Sequence, residues 1–360
     1  MPEIRHEPIP TGLRIGLYES DTCLASLWLF DLRLRVGHRA VRMGGIGGVG
    51  THREHRGKGY ARQVMDDALA LMRAEGYALS VLFGIPGFYP KWGFTPALVE
   101  ATLQIDTAAA LAAPGKLPVR AMKADDTRAV VTLYERANVD RTGSIVRQAE
   151  EFAGFRYGVD WNDNVDALVV EHAGQVVGYA AYNSEPWAGQ VAEVACDGVA
   201  AMSSLMRFIG ERAHERHREK VIIKLPPDHP LVGYCAGLGC QLMVEYPRWG
   251  NGMARIIDQG ALLREIAPLL ALRLQAAAAL SWRGVIVVET SLGSDRIALG
   301  EGKEQVVQLA QERLTQLVLG YRSAGGLFAE DEISCAPELV PVLEAIFPRG
   351  CPYMWHPDRF

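Results

Sequence analysis

The sequence predicts an α/β (α+β) protein of three consecutive units. Three observations carry this expectation. Short apolar runs with strand patterning alternate along the chain with longer segments whose apolar residues recur at helical spacing. At ~150 residues per domain, 360 residues make two to three domains. Finally, Tyr234-Cys235-Ala236-Gly237-Leu238-Gly239-Cys240 faintly echoes Phe88-Tyr89-Pro90-Lys91-Trp92-Gly93-Phe94 in the preceding unit, which suggests an internal duplication.

The first unit, 1–112, reads strand, strand, strand, helix, strand. Leu13–Leu17 and Leu24–Phe30 flank a turn-like Glu19-Ser20-Asp21-Thr22, Leu32–Val36 alternates with period two, and Val41–Met43 opens another strand. After a glycine cluster, Ala61, Val64, Met65, Ala68, Leu69 and Met72 mark a helix that stops at Gly76. Ala78–Phe83 is a short buried strand, and the small, proline-ended Ala108–Pro114 marks the boundary. The second unit, 113–262, repeats this alternation with a helix over Arg128–Ala137, a hairpin Leu168–Glu171 with Val176–Tyr182, a strand Val191–Ala195, a helix near Ala200–Arg216 and a strand Val221–Lys224. The third, 263–360, opens with a helix Leu263–Leu280. Strands Gly284–Glu289 and Arg296–Leu299 follow, then an amphipathic helix near Val306–Leu319. Tyr353, Met354, Trp355 and Phe360 make the tail too apolar for a frayed end, so it is expected to dock.

Composition narrows the function. With 49% hydrophobic and 22% charged residues the chain has material for more than one core, which excludes a mostly disordered protein. No run approaches the ~18 apolar residues of a membrane span, and the start Met1-Pro2-Glu3-Ile4-Arg5-His6-Glu7 lacks a secretory pattern. A cytoplasmic protein is expected. A net charge of −5 argues against nucleic acid as the main partner and suits a cationic substrate. Six scattered cysteines with no C-x-x-C pair read as reduced thiols. His214 and His217 lie in a charged stretch that reads as a solvated helix face, so no metal is expected.

Two glycine motifs compete for a phosphate-binding role. Gly45-Ile46-Gly47-Gly48-Val49-Gly50 fits G-x-G-x-x-G, but that motif needs a helix opening within the glycines. Here the charged stretch Thr51-His52-Arg53-Glu54-His55 intervenes, so a nicotinamide or flavin site is rejected. The second motif, Arg56-Gly57-Lys58-Gly59-Tyr60-Ala61, sits directly at the helix start. Backbone N–H groups there lack intrahelical partners and the helix dipole favours an anion. Gly57 and Gly59 clear space for a diphosphate, and Arg56 and Lys58 add charge.

This hexapeptide matches R/Q-x-x-G-x-G/A and resembles the pyrophosphate loop of the GNAT acetyltransferases. The order of parts matches too: Gly47–Thr51, the loop, Ala61–Glu75, Ala78–Phe83, then Gly87-Phe88-Tyr89-Pro90-Lys91-Trp92-Gly93-Phe94. The resemblance implies acetyl-CoA as co-substrate, held by Arg56, Gly57, Lys58, Gly59, Tyr60 and Ala61. Its pantetheine arm would lie along the strand edge at Val49 and Thr51 like an added strand. It implies Tyr89 as the general acid that protonates the departing thiolate. The whole layout resembles the enhanced-intracellular-survival-type branch: two tandem GNAT-like mixed-sheet domains, the second degenerate, plus a C-terminal sterol-carrier-protein-like α/β domain. That branch implies the α-carboxylate of Phe360 as base toward the acceptor amine, and a homohexamer.

Three departures stand out. Arg53 replaces a proline common early in the loop, and Gly84 stands where a small hydroxyl residue often contacts the cofactor. With the first strand expected at Leu13, the usual opening strand and pair of helices are absent or much reduced, leaving a more open acceptor site. The expected function is N-acetyl transfer to a small-molecule or peptidyl amine by direct attack, with no nucleic-acid or membrane partner. The alternatives are an acyl-CoA-binding sensor or scaffold without turnover, and lipid carriage by the third unit.

Overall fold

The computed structural model describes residues 2–184, 189–248, 250–277 and 279–360. Four antiparallel strands joined by tight turns open the chain: β1 (Glu3–Ile9), β2 (Gly12–Glu19), β3 (Thr22–Val36) and β4 (Arg39–Thr51). Then come α1 (Tyr60–Ala74), β5 (Leu79–Gly84), parallel to β4, and the short β6 (Thr95–Pro96). Two expectations change here. An opening strand is present after all: β1 is an edge strand whose charged, Pro8-bearing sequence hides its alternation. Leu24–Phe30 and Leu32–Val36 are one long strand, continuous through Asp31, whose carboxylate points outward to Arg42.

The middle of the chain gives β7 (Glu100–Asp106), α2 (Thr107–Leu111), β8 (Val119–Ala121), α3 (Thr127–Ala137), β9 (Val165–His172), β10 (Gln175–Asn183), β11 (Gln190–Cys196) and α4 (Gly198–Glu215). β12 (Lys220–Lys224), α5 (Pro230–Ala236), β13 (Cys240–Glu245) and β14 (Asn251–Ile256) complete it. The last part holds α6 (Gln259–Ala276), β15 (Val285–Thr290), β16 (Gly293–Ala298), β17 (Glu304–Leu309), α7 (Gln311–Val318), α8 (Ala324–Ala329), β18 (Ile333–Ser334) and α9 (Val340–Ile346). The helix expected from Val306 begins only at Gln311, because Val306 and Val307 belong to a strand parallel to β15.

These strands form three sheets, ordered β1-β2-β3-β4-β5-β14-β6, β13-β7-β12-β11-β10-β9-β8 and β16-β15-β17-β18. The first two sheets exchange strands across the boundary expected at 112. β14 inserts between β5 and β6 of the first sheet, and β7 between β13 and β12 of the second. The exchange ties the first two sheets together covalently at two places. A further bond comes from the apolar core: Leu34, Val41 and Met43 of the first sheet pack in one cluster with Leu262, Ile266 and Leu270 of α6 and with Ile286 and Val307 of the third sheet. α1 covers the opposite face of the first sheet with Val64, Met65, Ala68, Leu69 and Met72. No described helix is long and apolar enough to cross a membrane.

Candidate functional site

The site begins where two parallel strands part. β4 and β5 pair from Met43↔Leu79 to Ile46↔Leu82, yet β4 continues to Thr51 and β5 to Gly84. Just past the last pair, β4 bulges: Gly47 to Gly50 on β4 faces only Trp28 to Ser26 on β3. Gly48 absorbs the bulge in the left-handed region (φ 58°), with the Trp28 ring 3.3 Å from where a Cβ would stand. Val49 and Thr51, the residues assigned to the pantetheine arm, lie on the bulged stretch and are half-buried.

Beyond Thr51 the chain makes one short turn at Arg53–His55 and enters the loop. Gly57 (φ 78°) and Gly59 (φ 80°) both take left-handed backbone, and nothing stands within 4 Å of the position a Cβ would fill. The first helical donors are Arg62 and Gln63, both to the Gly59 carbonyl. Among the described residues, the backbone N–H groups of Gly57 to Ala61 have no acceptor. Open space before a row of unpaired donors at a helix start fits a diphosphate. Arg56 reaches back to the Thr51 carbonyl (3.4 Å), and Lys58 Nζ lies 3.5 Å from His55 Nδ1, so both cations stay beside the loop.

Tyr89 precedes a single turn, Pro90–Trp92, fixed at its end by Gly93 in left-handed backbone. Its ring is wedged among Phe88, Trp92 and Phe94, with centroids 5.0, 6.2 and 6.3 Å away. Two of its ring carbons lie 2.4 and 2.5 Å from where a Cβ of Gly84 would be. Gly84 is thus a seat for Tyr89, and a hydroxyl side chain there would displace the ring. Burial raises the Tyr89 pKa above 10.0, so the phenol holds its proton at neutral pH.

On the other face of the same sheet lies the tail. Ring carbons of Phe360 stand 2.7–2.8 Å from where a Cβ of Gly45 would be, and its main-chain carboxyl carbon 2.8 Å from that of Gly47. Two glycines on β4 therefore make the groove that admits Phe360. Its ring packs between Phe30 (5.6 Å) and Phe83 (6.1 Å). Because strand side chains alternate, Tyr89 shares the α1-side core while Phe360 belongs to the opposite one. The two groups flank the parted strands from opposite faces.

A cavity of about 510 Å³ opens from Phe83 and Gly84 toward the second sheet, lined among others by Glu100, Asp160, Trp161, Lys224 and Arg359. Arg359 donates to Glu100 (2.9 Å) and lies over the Phe83 ring. Buried His356 donates from Nδ1 to the Val159 carbonyl (2.7 Å), and burial keeps it uncharged. Sequence reasoning missed these wall residues, because the strand exchange brings Glu100 and Asn251 to one rim. His214 and His217 are exposed, and the described residues hold no cluster of metal-ligating side chains.

Residues 3–97 match the family model described as "Acetyltransferase (GNAT) domain". The match spans the bulged strand, the loop, α1, β5 and Tyr89. No curated protein matches the chain. Among solved structures, a GCN5-related N-acetyltransferase from Kribbella flavida aligns at TM-score 0.71 and 20% identity, over 96% of this chain and 88% of that one. A probable N-acyltransferase from Enterococcus faecalis V583, described as a conserved protein of unknown function, aligns at TM-score 0.73 and 18% identity, over 97% and 89%. Eis1 from Mycobacterium abscessus aligns at TM-score 0.64 and 16% identity, over 96% and 91%. At these identities the likeness establishes a shared fold across nearly the whole chain.

Proposed function

We propose that the chain is an acetyl-CoA-dependent N-acetyltransferase acting on a primary amine of a small cationic or peptidyl acceptor. The observation that carries this is the parted β4/β5 pair, with unpaired loop amides at one end and Tyr89 and Phe360 on its two faces. Acetyl-CoA supplies the activated thioester. The loop from Arg56 to Ala61 binds its diphosphate, and Val49 and Thr51 orient its arm. N–H groups around the Gly48–Val49 bulge stabilise charge developing on the carbonyl oxygen. The α-carboxylate of Phe360 takes the proton of the acceptor amine, and Tyr89 delivers one to the departing sulfur. Transfer is direct, so the scattered cysteines have no covalent role.

In the same proposal the second sheet belongs to a degenerate GNAT-like domain and the third to a sterol-carrier-like one, in a cytoplasmic homo-oligomer. Two measurements test the proposal. Calorimetry with coenzyme A checks the loop, and no heat at millimolar ligand overturns the proposal. Release of free thiol from acetyl-CoA across a polyamine and aminoglycoside panel checks turnover. Tight binding with silence across the panel replaces the enzyme with an acyl-CoA sensor. A groove of about 720 Å³ beside Leu274, Trp282 and Leu299 motivates lipid carriage as the other outcome, which native mass spectrometry for co-purified lipid decides.

A further inference from the structure

Asp358 stands two residues before Phe360, and its carboxylate is buried. Arg147 Nε donates to Asp358 Oδ1 (2.8 Å). The same guanidinium donates two parallel bonds to Glu193 on β11 (2.7 and 2.6 Å) and lies 3.7 Å from the centre of the Tyr134 ring. Tyr134 donates to Asp358 Oδ2 (2.8 Å), and Tyr179 on β10 donates to Glu193 (2.7 Å). The Arg147 side chain is only 5% exposed, that of Glu193 0% and that of Asp358 10%, so two carboxylates share one cation out of water.

Such a cluster is a poor choice for stability alone, because well-packed apolar residues commonly stabilise as much as a buried ion network. The tail already has apolar anchors in the fully buried Tyr353 and Trp355. Ion pairs with several bonds add register. Asp358 closes a single turn over His356–Asp358, so a grip on its side chain fixes where the last two residues leave that turn.

The cluster also measures the tail against the correct sheet. The segment before Arg147 pairs with β3: Arg35 N donates to the Ser144 carbonyl and Val146 N to the Arg33 carbonyl, each at 2.9 Å. β3 in turn pairs with β4, with Trp28 opposite Gly47. One rigid path therefore runs from Arg147 to the glycine against which the Phe360 carboxyl rests.

We infer that Arg147, braced by Glu193 and gripping Asp358, is a positioning residue that sets where the carboxyl group of Phe360 stops on Gly47. The catalytic part of this inference rests on Phe360 serving as the base. It also gives the second sheet a function without a cofactor of its own: it holds the end of the chain at the first sheet.

The test uses the 360-residue chain without a C-terminal tag, as wild type, Asp358→Asn, Arg147→Lys and a deletion of Phe360. Carboxypeptidase Y release of Phe360, followed by intact mass, reads the grip without reference to activity. Release tracks the opened fraction, so either substitution should speed it by roughly tenfold or more. kcat should fall roughly tenfold to a hundredfold while KM for acetyl-CoA stays within about twofold. Deleting Phe360 from Asp358→Asn should cost little beyond the deletion alone. Should both substitutions leave release and kcat at the parent level while the deletion removes activity, the grip is refuted and Phe360 keeps its role. Should the deletion leave kcat intact, the base assignment falls and the positioning role falls with it. Asp358→Asn keeps the side-chain shape, and melting curves on both variants confirm that folded protein is compared.

Discussion

In each of the first two sheets one strand runs into a long helix, β4 into α1 and β11 into α4, and the two junctions differ at the point where an anion would bind. Between β4 and α1 lie the eight residues from His52 to Gly59. The N–H groups of the last three, and of the first two helical residues after them, are unpaired among the described residues. Between β11 and α4 stands a single residue, Asp197. Its N–H is bonded to the Val177 carbonyl (2.8 Å) and its carboxylate to Arg136 (2.6 Å). A carboxylate already occupies the favourable end of that helix dipole. Asp197 makes no side-chain bond to the start of α4, so the amides of both helix starts are open. What the first junction adds is an eight-residue loop with two left-handed glycines, where the second has one residue and a carboxylate. Topology and open helix amides are common to both junctions; loop length, the glycines and the absence of a carboxylate at its helix start set the first apart as the proposed diphosphate site.

The largest expected effect separates the paired aromatic turns. Tyr89→Phe should lower kcat by about a hundredfold or more, the scale of a lost general acid, with the Kd for coenzyme A unchanged. Tyr234→Phe, on α5 next to Cys235 at the echoing position, should leave both constants alone. Steady-state kinetics with calorimetry checks the pair. The pH profile sharpens it. Tyr89 acts protonated and burial raises its pKa above 10.0, so its loss of activity on the alkaline side belongs above pH 10.0. A limb at about pH 8 that vanishes in Tyr89→Phe would contradict this assignment.

Next comes the loop backbone. Gly59→Val forces a β-branched residue into left-handed backbone at φ 80°, costing about 1–2 kcal/mol for the conformation alone, and fills the space before the donors. Coenzyme A affinity should fall by about tenfold or more. Gly198→Val meets the same strain at φ 85° at the start of α4 and should lower the melting temperature without altering that affinity. Gly45→Ala acts on the other face. Its methyl would stand 2.7 Å from the Phe360 ring, so kcat should fall severalfold, about 1 kcal/mol of barrier, with coenzyme A affinity intact.

How much of this was legible follows from where the signals lie. α1 and its loop were legible because Val64, Met65, Ala68, Leu69 and Met72 repeat at helical spacing directly after a charged glycine run. Gly84 looked like a departure because its partner, the Tyr89 ring, lies further along the chain and meets it only in the fold. The exchange of β7 and β14 left no trace, since a short apolar run does not say which sheet it joins. Nor did the grip on the tail. Arg147, Glu193 and Asp358 lie far apart along the chain with no spacing that links them, and only the packing brings them together and withdraws them from water.

The smallest expected effect is the most discriminating for the two junctions. If the carboxylate of Asp197 alone barred an anion from α4, Asp197→Asn would create a second coenzyme A site. It should not. Removing the charge breaks an exposed pair with Arg136, whose side chains are 61% and 40% exposed and which is worth at most about 1 kcal/mol. It lengthens no loop, and it leaves the Asp197 N–H bonded to Val177. The stoichiometry measured by calorimetry should therefore stay at one coenzyme A per chain in the variant as in the parent. A value approaching two would mean that charge rather than the length of the loop decides where the diphosphate binds, and the contrast between the junctions would have to be redrawn on electrostatics.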